Sequence, residues 1–363
     1  MSHPTRLLLL DSGAFSVWTQ GAHIDLDDYI SFCEDFPDCS YYVNLDVIPG
    51  TPGKKSSLTQ ESVEASCKAG WVNYKQMIDR LGMDKVIPVY HQGDPIKWLD
   101  KYLNFGVQYI GISPANDRQT SGSRHKATFA GRGSPSTTKL QWIKSLRQFL
   151  FDGAGRPLVK THGFAVTSYD LMKSMEWYSV DSASWKLAGA WGEIYVPHSN
   201  NFTTEPEQFR TSANFDPKHL KFGHRVRPRF PDRVNDWLRE CKVARGEYEI
   251  KKVREGYKLS KVDKEIWFHK KSRIVLVPTE HGVTTSVEQR LRVNAEFIHR
   301  ANKALKEYVR HIYFAGAMMP YELEHDLGKR LLSYYHTQGK GGRVCLEKHC
   351  QMIRDHKEKR REN

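Results

Sequence analysis

The sequence predicts an α/β protein: a (β/α)8 barrel of the TIM type carrying a basic, largely helical insertion or C-terminal extension. Three observations point there. Short β-rich runs alternate with helical patterns through the first half of the chain, which implies a parallel sheet with right-handed crossovers. The runs are continuously apolar, as in "LLLL" at Leu7–Leu10, the pattern of strands buried on both faces. No Gly-rich phosphate fingerprint follows any of them, which weakens the alternative, an open doubly wound sheet.

The elements follow in order. Strands are expected at Leu7–Leu10, Tyr41–Leu45, Lys85–Tyr90, Gln108–Ile112, Leu158–Val166 and Trp177–Val180. Helical patterns lie between them at Asp25–Phe36, Gln60–Leu81, Pro95–Phe105, Thr138–Phe151 and Tyr169–Met175. The second helix is the best defined. Val63, Cys67, Trp71, Tyr74, Ile78 and Leu81 recur at spacings of four and three and make one apolar face. Gly82 then supplies a C-terminal stop. The third opens at Pro95 behind Asp94 and closes at Gly106. Asp25 and Asp94 suit helix N-caps.

Six strand–helix units precede Trp185, and a barrel needs eight. Glu193–Val196, Arg273–Val277 and His311–Phe314 are candidates for the rest, with nothing to choose among them. The expected organisation is a barrel core over residues 1–200, a basic nucleic-acid-binding segment over 201–310, and a C-terminal segment over 311–363 that completes the barrel in one reading. Pro114–Lys139 is long and polar, with Arg118, Arg124, Lys126, Arg132 and Lys139. It reads as a lid, a binding loop or disorder.

Composition narrows the function classes. The 363 residues are 39% hydrophobic and 12% aromatic, which supports a real core and excludes a disordered chain. Six cysteines without regular spacing give no disulfide framework, so a reducing compartment is expected. Leu7–Leu10 is too short for a signal peptide, and no stretch approaches the roughly 18 apolar residues of a membrane span. A soluble, cytoplasmic protein with no membrane partner is the expectation.

Charge is unevenly placed. The formal net charge is +13, and between Lys218 and Arg310 there are 24 Lys plus Arg against 12 Asp plus Glu. Nearly the whole excess therefore lies in one segment, interleaved with Trp237, Tyr248, Tyr257, Trp267 and Phe268. Such a folded basic surface suits a polyphosphate backbone. Arg225, Arg227, Arg229, Lys251, Lys252, Lys270 and Lys271 are its candidate phosphate contacts. The charged tail from Met352 to Asn363 reads as a solvated helix end.

Chemistry gathers where the strands end. The first strand runs into Asp11-Ser12-Gly13, the second into Asp46, the third into His91-Gln92-Gly93 and the fourth into Ser113. The fifth contains His162-Gly163, and the sixth runs into Asp181-Ser182. In parallel α/β folds the carboxyl ends of the strands form the active site. Three aspartates on one rim are hard to explain as caps. Paired carboxylates suit chemistry at an anomeric carbon, one as nucleophile and one handling the proton of the departing group. A third suits a base edge that presents N–H donors, as guanine does through N1–H and its 2-amino group. Gln92 or a backbone N–H near Gly163 suits the guanine O6.

These motifs together resemble a known family. "DSGAF" at Asp11–Phe15 resembles the DSGG-aromatic motif of tRNA-guanine transglycosylases. "NLD" at Asn44–Asp46, "HQG" at His91–Gly93, "HGFAV" at His162–Val166 and "SVDSASW" at Ser179–Trp185 follow in the family's order. The chain looks most similar to the bacteriophage branch, the DNA 7-deazaguanine transglycosylases. The resemblance covers roughly the first half of the chain. It implies a pentosyltransferase that flips guanine out of DNA and exchanges it for a free 7-deazaguanine (preQ0-like) base, working in the host cytoplasm. It implies Asp181 as the nucleophile on C1′ and Asp11 as general acid/base. Asp46 and Gln92 would read the base edge, assisted by Ser12 and the backbone of Gly163 and Phe164, and Phe15 would stack on the base.

The departures set the alternatives. The tRNA enzymes carry a Cys-x-Cys-x-x-Cys zinc motif, and this chain has none, which favours DNA over tRNA. Cys345, His349, Cys350 and His356 form a loose cluster, but Cys-x3-His-Cys is not a usual structural zinc spacing. No metal and no cofactor are expected. Ala14 replaces the second glycine of the motif. A tRNA-guanine transglycosylase is the first alternative, and a non-catalytic nucleic-acid-binding barrel the second.

Overall fold

The structure is a computed structural model and describes residues 8–14, 23–37, 39–49, 59–114, 135–211, 221–252, 267–269 and 274–314. The protein is a mixed α/β chain whose backbone contacts divide it into two compact units. Among the described residues, the first unit holds 8–166 and 170–181 and the second holds 167–169 and 182–314. The division thus falls at Ser182, earlier than residue 201.

The first unit is built on parallel strands. They are β1 (Leu9–Leu10), β2 (Tyr41–Val43), β3 (Val86–Ile87), β4 (Val89–His91), β5 (Tyr109–Ser113), β6 (Lys160–Gly163) and β7 (Trp177–Ser182). β1 pairs with β2 and β2 with β3, all parallel. β4 pairs with β5, β5 with β6 and β6 with β7, again all parallel. β3 and β4 are one run of chain interrupted at Pro88, which has no N–H to give a ladder. The Asn44 amide still donates to the Ile87 carbonyl on one edge, and Gly111 N–H to the Pro88 carbonyl on the other, both at 2.8 Å. The strands therefore lie in the order in which they occur in the chain. A doubly wound sheet reverses that order at its switch point, and no reversal occurs among these strands.

The helices fill the expected gaps: α1 (Leu26–Glu34), α2 (Gln60–Leu81), α3 (Ile96–Asn104), α4 (Pro135–Leu150) and the short α5 (Tyr169–Met172). Asp25 caps α1, its Oδ1 accepting the Asp28 N–H at 3.0 Å. α2 has the predicted bounds. Thr59 and Ser62 close a capping box at its start, and Gly82, at φ 91°, ends it. Its buried face is rotated slightly from the predicted one. Val63, Trp71 and Tyr74 are buried as expected, but Ser66, Gly70 and Met77 join them instead of Cys67, Ile78 and Leu81. The small side chains at 66 and 70 let the helix approach the sheet, so the packing face follows size as well as hydropathy. α3 differs at its start. Pro95 is the N-cap residue without a side-chain bond, because the Asp94 carboxylate turns back to His91. Of the long polar segment, residues 135–139 belong to α4 and Pro114 closes β5, while 115–134 lie outside the described residues.

The second unit corrects two expectations. β8 (Glu193–Val196) pairs antiparallel with β9 (Glu207–Arg210). The run near Arg273–Val277 is β13 (Ile274–Glu280), in a four-stranded antiparallel sheet with β10 (Arg225–Val226), β11 (Glu247–Lys252) and β12 (Trp267–His269). Neither adds a parallel strand there. Among its described residues the basic segment is also not largely helical. Tyr248 and Ile250 are buried while Glu247, Glu249 and Lys251 are not, a period of two that a strand satisfies and a helix does not. Leu276 and Val226 complete the small core of this sheet.

α7 (Asp232–Glu240) lies between β10 and β11 in sequence, α8 (Val287–Ala304) follows β13, and β14 (Val309–Phe314) ends the unit. Buried polar side chains of α8 fasten the short helix α6 (Ser184–Ala190) and β8. Asn294 accepts the Tyr195 N–H at 2.7 Å and donates to the Trp185 carbonyl at 2.9 Å. The buried Arg290 donates to the Gly189 and Val283 carbonyls. Such groups stay buried only because their hydrogen bonds are met. No helix among the described residues is long and apolar enough to cross a membrane.

Candidate active site

Asp11 follows β1 directly, and its position explains the abrupt end of the leucine run. The Ser12 and Gly13 amides both donate to its carboxylate. Gly13 sits at φ 69°, a left-handed turn that curls the backbone under the carboxylate and that glycine adopts without strain. Asp11 is still reached by solvent on its open side. Its pKa is nevertheless raised to about 6. The protein packed around it is the first cause, tempered by that solvent access, and the nearby Asp46 carboxylate is the second.

Asp181 is the fifth residue of β7, with its side chain largely shielded. Its Oδ1 accepts the Ala165 N–H at 2.8 Å. Burial raises its pKa to about 7, the Ala165 N–H opposes that rise, and the Asp11 charge adds to it. Asp11 is thus in electrostatic reach of both Asp46 and Asp181. The three strand-end aspartates predicted to share a rim do converge.

The Asp46 carboxylate does not stand alone. Its Oδ2 lies 2.9 Å from His91 Nε2, and His91 Nδ1 lies 3.3 Å from Asp94 Oδ2. Asp94 also accepts the His91 N–H at 2.9 Å. Burial disfavours a charged imidazole here, but the two carboxylates outweigh it and raise the His91 pKa to about 9. At neutral pH His91 is therefore an imidazolium held between Asp46 and Asp94. It fixes one Asp46 oxygen. The clamp releases as pH rises through about 9. The sequence motif points to Gln92 rather than His91, although a His and an Asp three apart across a strand-end turn are spaced to meet.

The remaining predicted residues divide. Ser12 and Gln92 are buried at their strand ends, and Gln92 N–H donates to the Ser113 carbonyl. Gly163 is set by packing: a Cβ there would lie 2.9 Å from Val166 Cβ and 3.0 Å from Trp177 Cζ3. The Phe164 N–H is spent on the Ile112 carbonyl at 3.0 Å, so it is not a donor for a base. The next amide, Ala165, is the one turned into the site. Ala165 sits at φ 53°, an uncommon conformation for a residue with a Cβ, and that turn aims its N–H at Asp181. Nothing in the sequence marks it. Phe15 lies outside the described residues, as do Cys345, His349, Cys350 and His356. No group of metal-ligating side chains occurs among the described residues.

A pocket opens beside Asp46 and His91, between α2, α3 and β4, lined also by Asn44, Ser66, Cys67, Trp98 and Tyr102. Its lining does not include Asp11 or Asp181. The candidate phosphate contacts lie in the second unit. Arg225 is 3.4 Å from Glu247, Arg227 is 3.5 Å from Glu247 and from Glu280, and Lys251 is 3.3 Å from Glu249. These are exposed, loose pairs of little worth. Arg229 is exposed and has no ion pair among the described residues. Lys252 ends β11, and Lys270 and Lys271 lie outside the described residues.

Two raised carboxylate pKa values have a stability consequence. Between the ordinary value of 3.8 and about 6 to 7, the folded protein holds protons that the unfolded chain has released. Stability from these groups is therefore full below pH 4 and is lost as pH rises through that window. Asp181→Asn removes the ionisation. Its melting temperature is expected to exceed the wild type's at pH 8 by more than it does at pH 5, and thermal unfolding at the two pH values checks this. A gap that does not widen contradicts the buried, raised carboxyl.

The chain matches no family model, no curated protein and no solved structure.

Proposed function

We propose that the protein is a DNA-guanine transglycosylase built on a (β/α)8 barrel. The observation that carries the reading is the coupled pair Asp11 and Asp181, delivered from the ends of β1 and β7, with Asp46 beside Asp11. The sequential parallel strand order supports the barrel. The resemblance of the five strand-end motifs and the basic surplus of the second unit support guanine in DNA as the substrate.

The chemistry follows from the pair. Near neutral pH both carboxyls are close to their titration range, and the Asp11 charge acts on Asp181. The productive form has the proton on Asp11 and the charge on Asp181. An Asp181 oxygen bonds to C1′ as the C1′–N9 bond breaks, and the electron pair leaves with the base, which takes the proton from Asp11. The incoming base gives its N9 proton to the Asp11 carboxylate and attacks C1′, and Asp181 departs. The same two groups serve both halves. Because one carboxyl must be charged and the other protonated, kcat/KM is expected to be bell-shaped, with limbs near pH 6 and pH 7. A flat profile from pH 5 to 9 contradicts the two roles. Asp46, held by His91, accepts the base-edge donors.

The adduct is the first test. Guanine-containing DNA incubated with protein, without a competing base, should yield a protein–DNA species that survives denaturation. Free 7-deazaguanine added before denaturation should discharge it. The basic unit is tested by salt. DNA affinity is expected to fall steeply between 50 and 200 mM salt. Arg229→Glu should weaken binding on any DNA sequence and lower the salt slope by about 1. Affinity indifferent to both would remove this surface as the phosphate grip, and tighter binding of tRNA than of duplex DNA would favour the tRNA reading.

A further inference from the structure

We propose that His162, Ser179 and Tyr109 form a buried positioning relay that presents a neutral imidazole N–H to Asp181 and holds that carboxylate as a nucleophile. The inference rests on the reading of Asp181 as the group that attacks C1′. No motif role accounts for His162, yet it is fully buried on β6 with Nε2 3.9 Å from Asp181 Oδ1. Its Nδ1 lies 2.6 Å from Ser179 Oγ, and Ser179 Oγ lies 2.5 Å from Tyr109 Oη. Ser179 is also fully buried and Tyr109 nearly so. The Phe164 ring packs edge-on against the imidazole, with centroids 4.4 Å apart. The geometry is a chain of three polar groups running through an otherwise apolar layer between β5, β6 and β7.

The direction of the chain fixes the tautomer. A phenol is the stronger acid of the two hydroxyls, so Tyr109 donates to Ser179 Oγ. Ser179 then donates to His162 Nδ1, which leaves the ring proton on Nε2, facing Asp181. Hydrogen bonds in series strengthen one another in a low-dielectric interior. Burial also lowers the His162 pKa to about 3, so the ring stays neutral at working pH. A neutral ring can stabilise the Asp181 charge without taking its proton or forming a fixed ion pair. The groups that face Asp181 are thus the Ala165 N–H, which favours its charge, the Asp11 carboxyl, which opposes it, and the imidazole at 3.9 Å. The 3.9 Å gap is too long for a full hydrogen bond. It leaves the nucleophile free to advance on C1′ while the Nε2 dipole still acts on it.

The test reads Asp181 itself. Protein carrying ¹³C-labelled aspartate carboxyls is titrated by NMR, with the Asp181 signal identified by its loss in Asp181→Asn. Ser179→Ala cuts the relay and frees the ring to turn its lone pair to Asp181. The Asp181 midpoint is then expected to rise by about one unit, equivalent to about tenfold in ionisation. Tyr109→Phe removes one oxygen only and should move it in the same direction by less. Ser179→Thr restores the hydroxyl and should restore the midpoint. In exchange assays, Ser179→Ala should lower kcat about tenfold with KM for the free base unchanged. An Asp181 midpoint unmoved in both Ser179→Ala and Tyr109→Phe overturns the relay, even where exchange proceeds normally. A midpoint that moves in a protein that exchanges no base upholds the relay and sinks the transglycosylase reading instead.

Discussion

Asp181→Asn is expected to abolish base exchange and the denaturation-resistant protein–DNA species together, by on the order of 10⁴-fold or more, while leaving the fold and DNA affinity in place. The substitution is nearly isosteric, and an amide oxygen can still accept the Ala165 N–H that Asp181 Oδ1 accepts at 2.8 Å. What is lost is the negative charge that attacks C1′. Because a carboxyl whose pKa is raised by burial costs stability when ionised, the inactive variant should also be the more heat-resistant protein. That pairing of lost activity with gained stability separates a removed nucleophile from a damaged fold. Near wild-type exchange by Asp181→Asn would show that another group carries the reaction.

Asp11→Asn is expected to slow both halves of the reaction by about 100-fold or more, the usual worth of acid–base assistance. Guanine extruded from a duplex already costs a few kcal/mol of lost stacking and pairing, and it leaves readily only when its developing charge is protonated. The incoming base attacks only when its N9 proton is removed. One carboxyl does both in turn. Adduct formation and adduct discharge, followed separately by rapid quench, should therefore slow by comparable factors, while DNA binding is kept. If only one half-reaction slows, Asp11 handles a proton in one direction only. If neither slows, it is a turn residue whose carboxylate merely accepts the Ser12 and Gly13 amides.

The fold was largely legible where local rules act alone. α2 has the predicted bounds because its capping residues, periodic apolar face and terminal glycine all agree. The strand ends were legible too, since an aspartate after a run such as "LLLL" is explained by no packing rule. Three kinds of feature were not legible. Antiparallel pairing of β8 and β13 depends on distant partners, and a short apolar run reads the same in either sheet. The helical expectation for the basic segment does not fit the period of two at Tyr248 and Ile250. Within the site, the Ala165 turn and the Ser179–His162 contact are announced by no residue type. The Ala165 N–H meets Asp181 only once β6 lies beside β7, and the Asp46–His91–Asp94 clamp forms only once β2 lies beside the β3–β4 run.

The most direct measurement of the central claim is mass spectrometry of nucleosides digested from DNA after incubation with the protein and isotopically labelled guanine, 7-deazaguanine bases being supplied in parallel. The account predicts label in deoxyguanosine and new deazaguanine deoxynucleosides from wild type, and neither from Asp181→Asn. DNA that binds the protein yet acquires neither label nor a new nucleoside would contradict it.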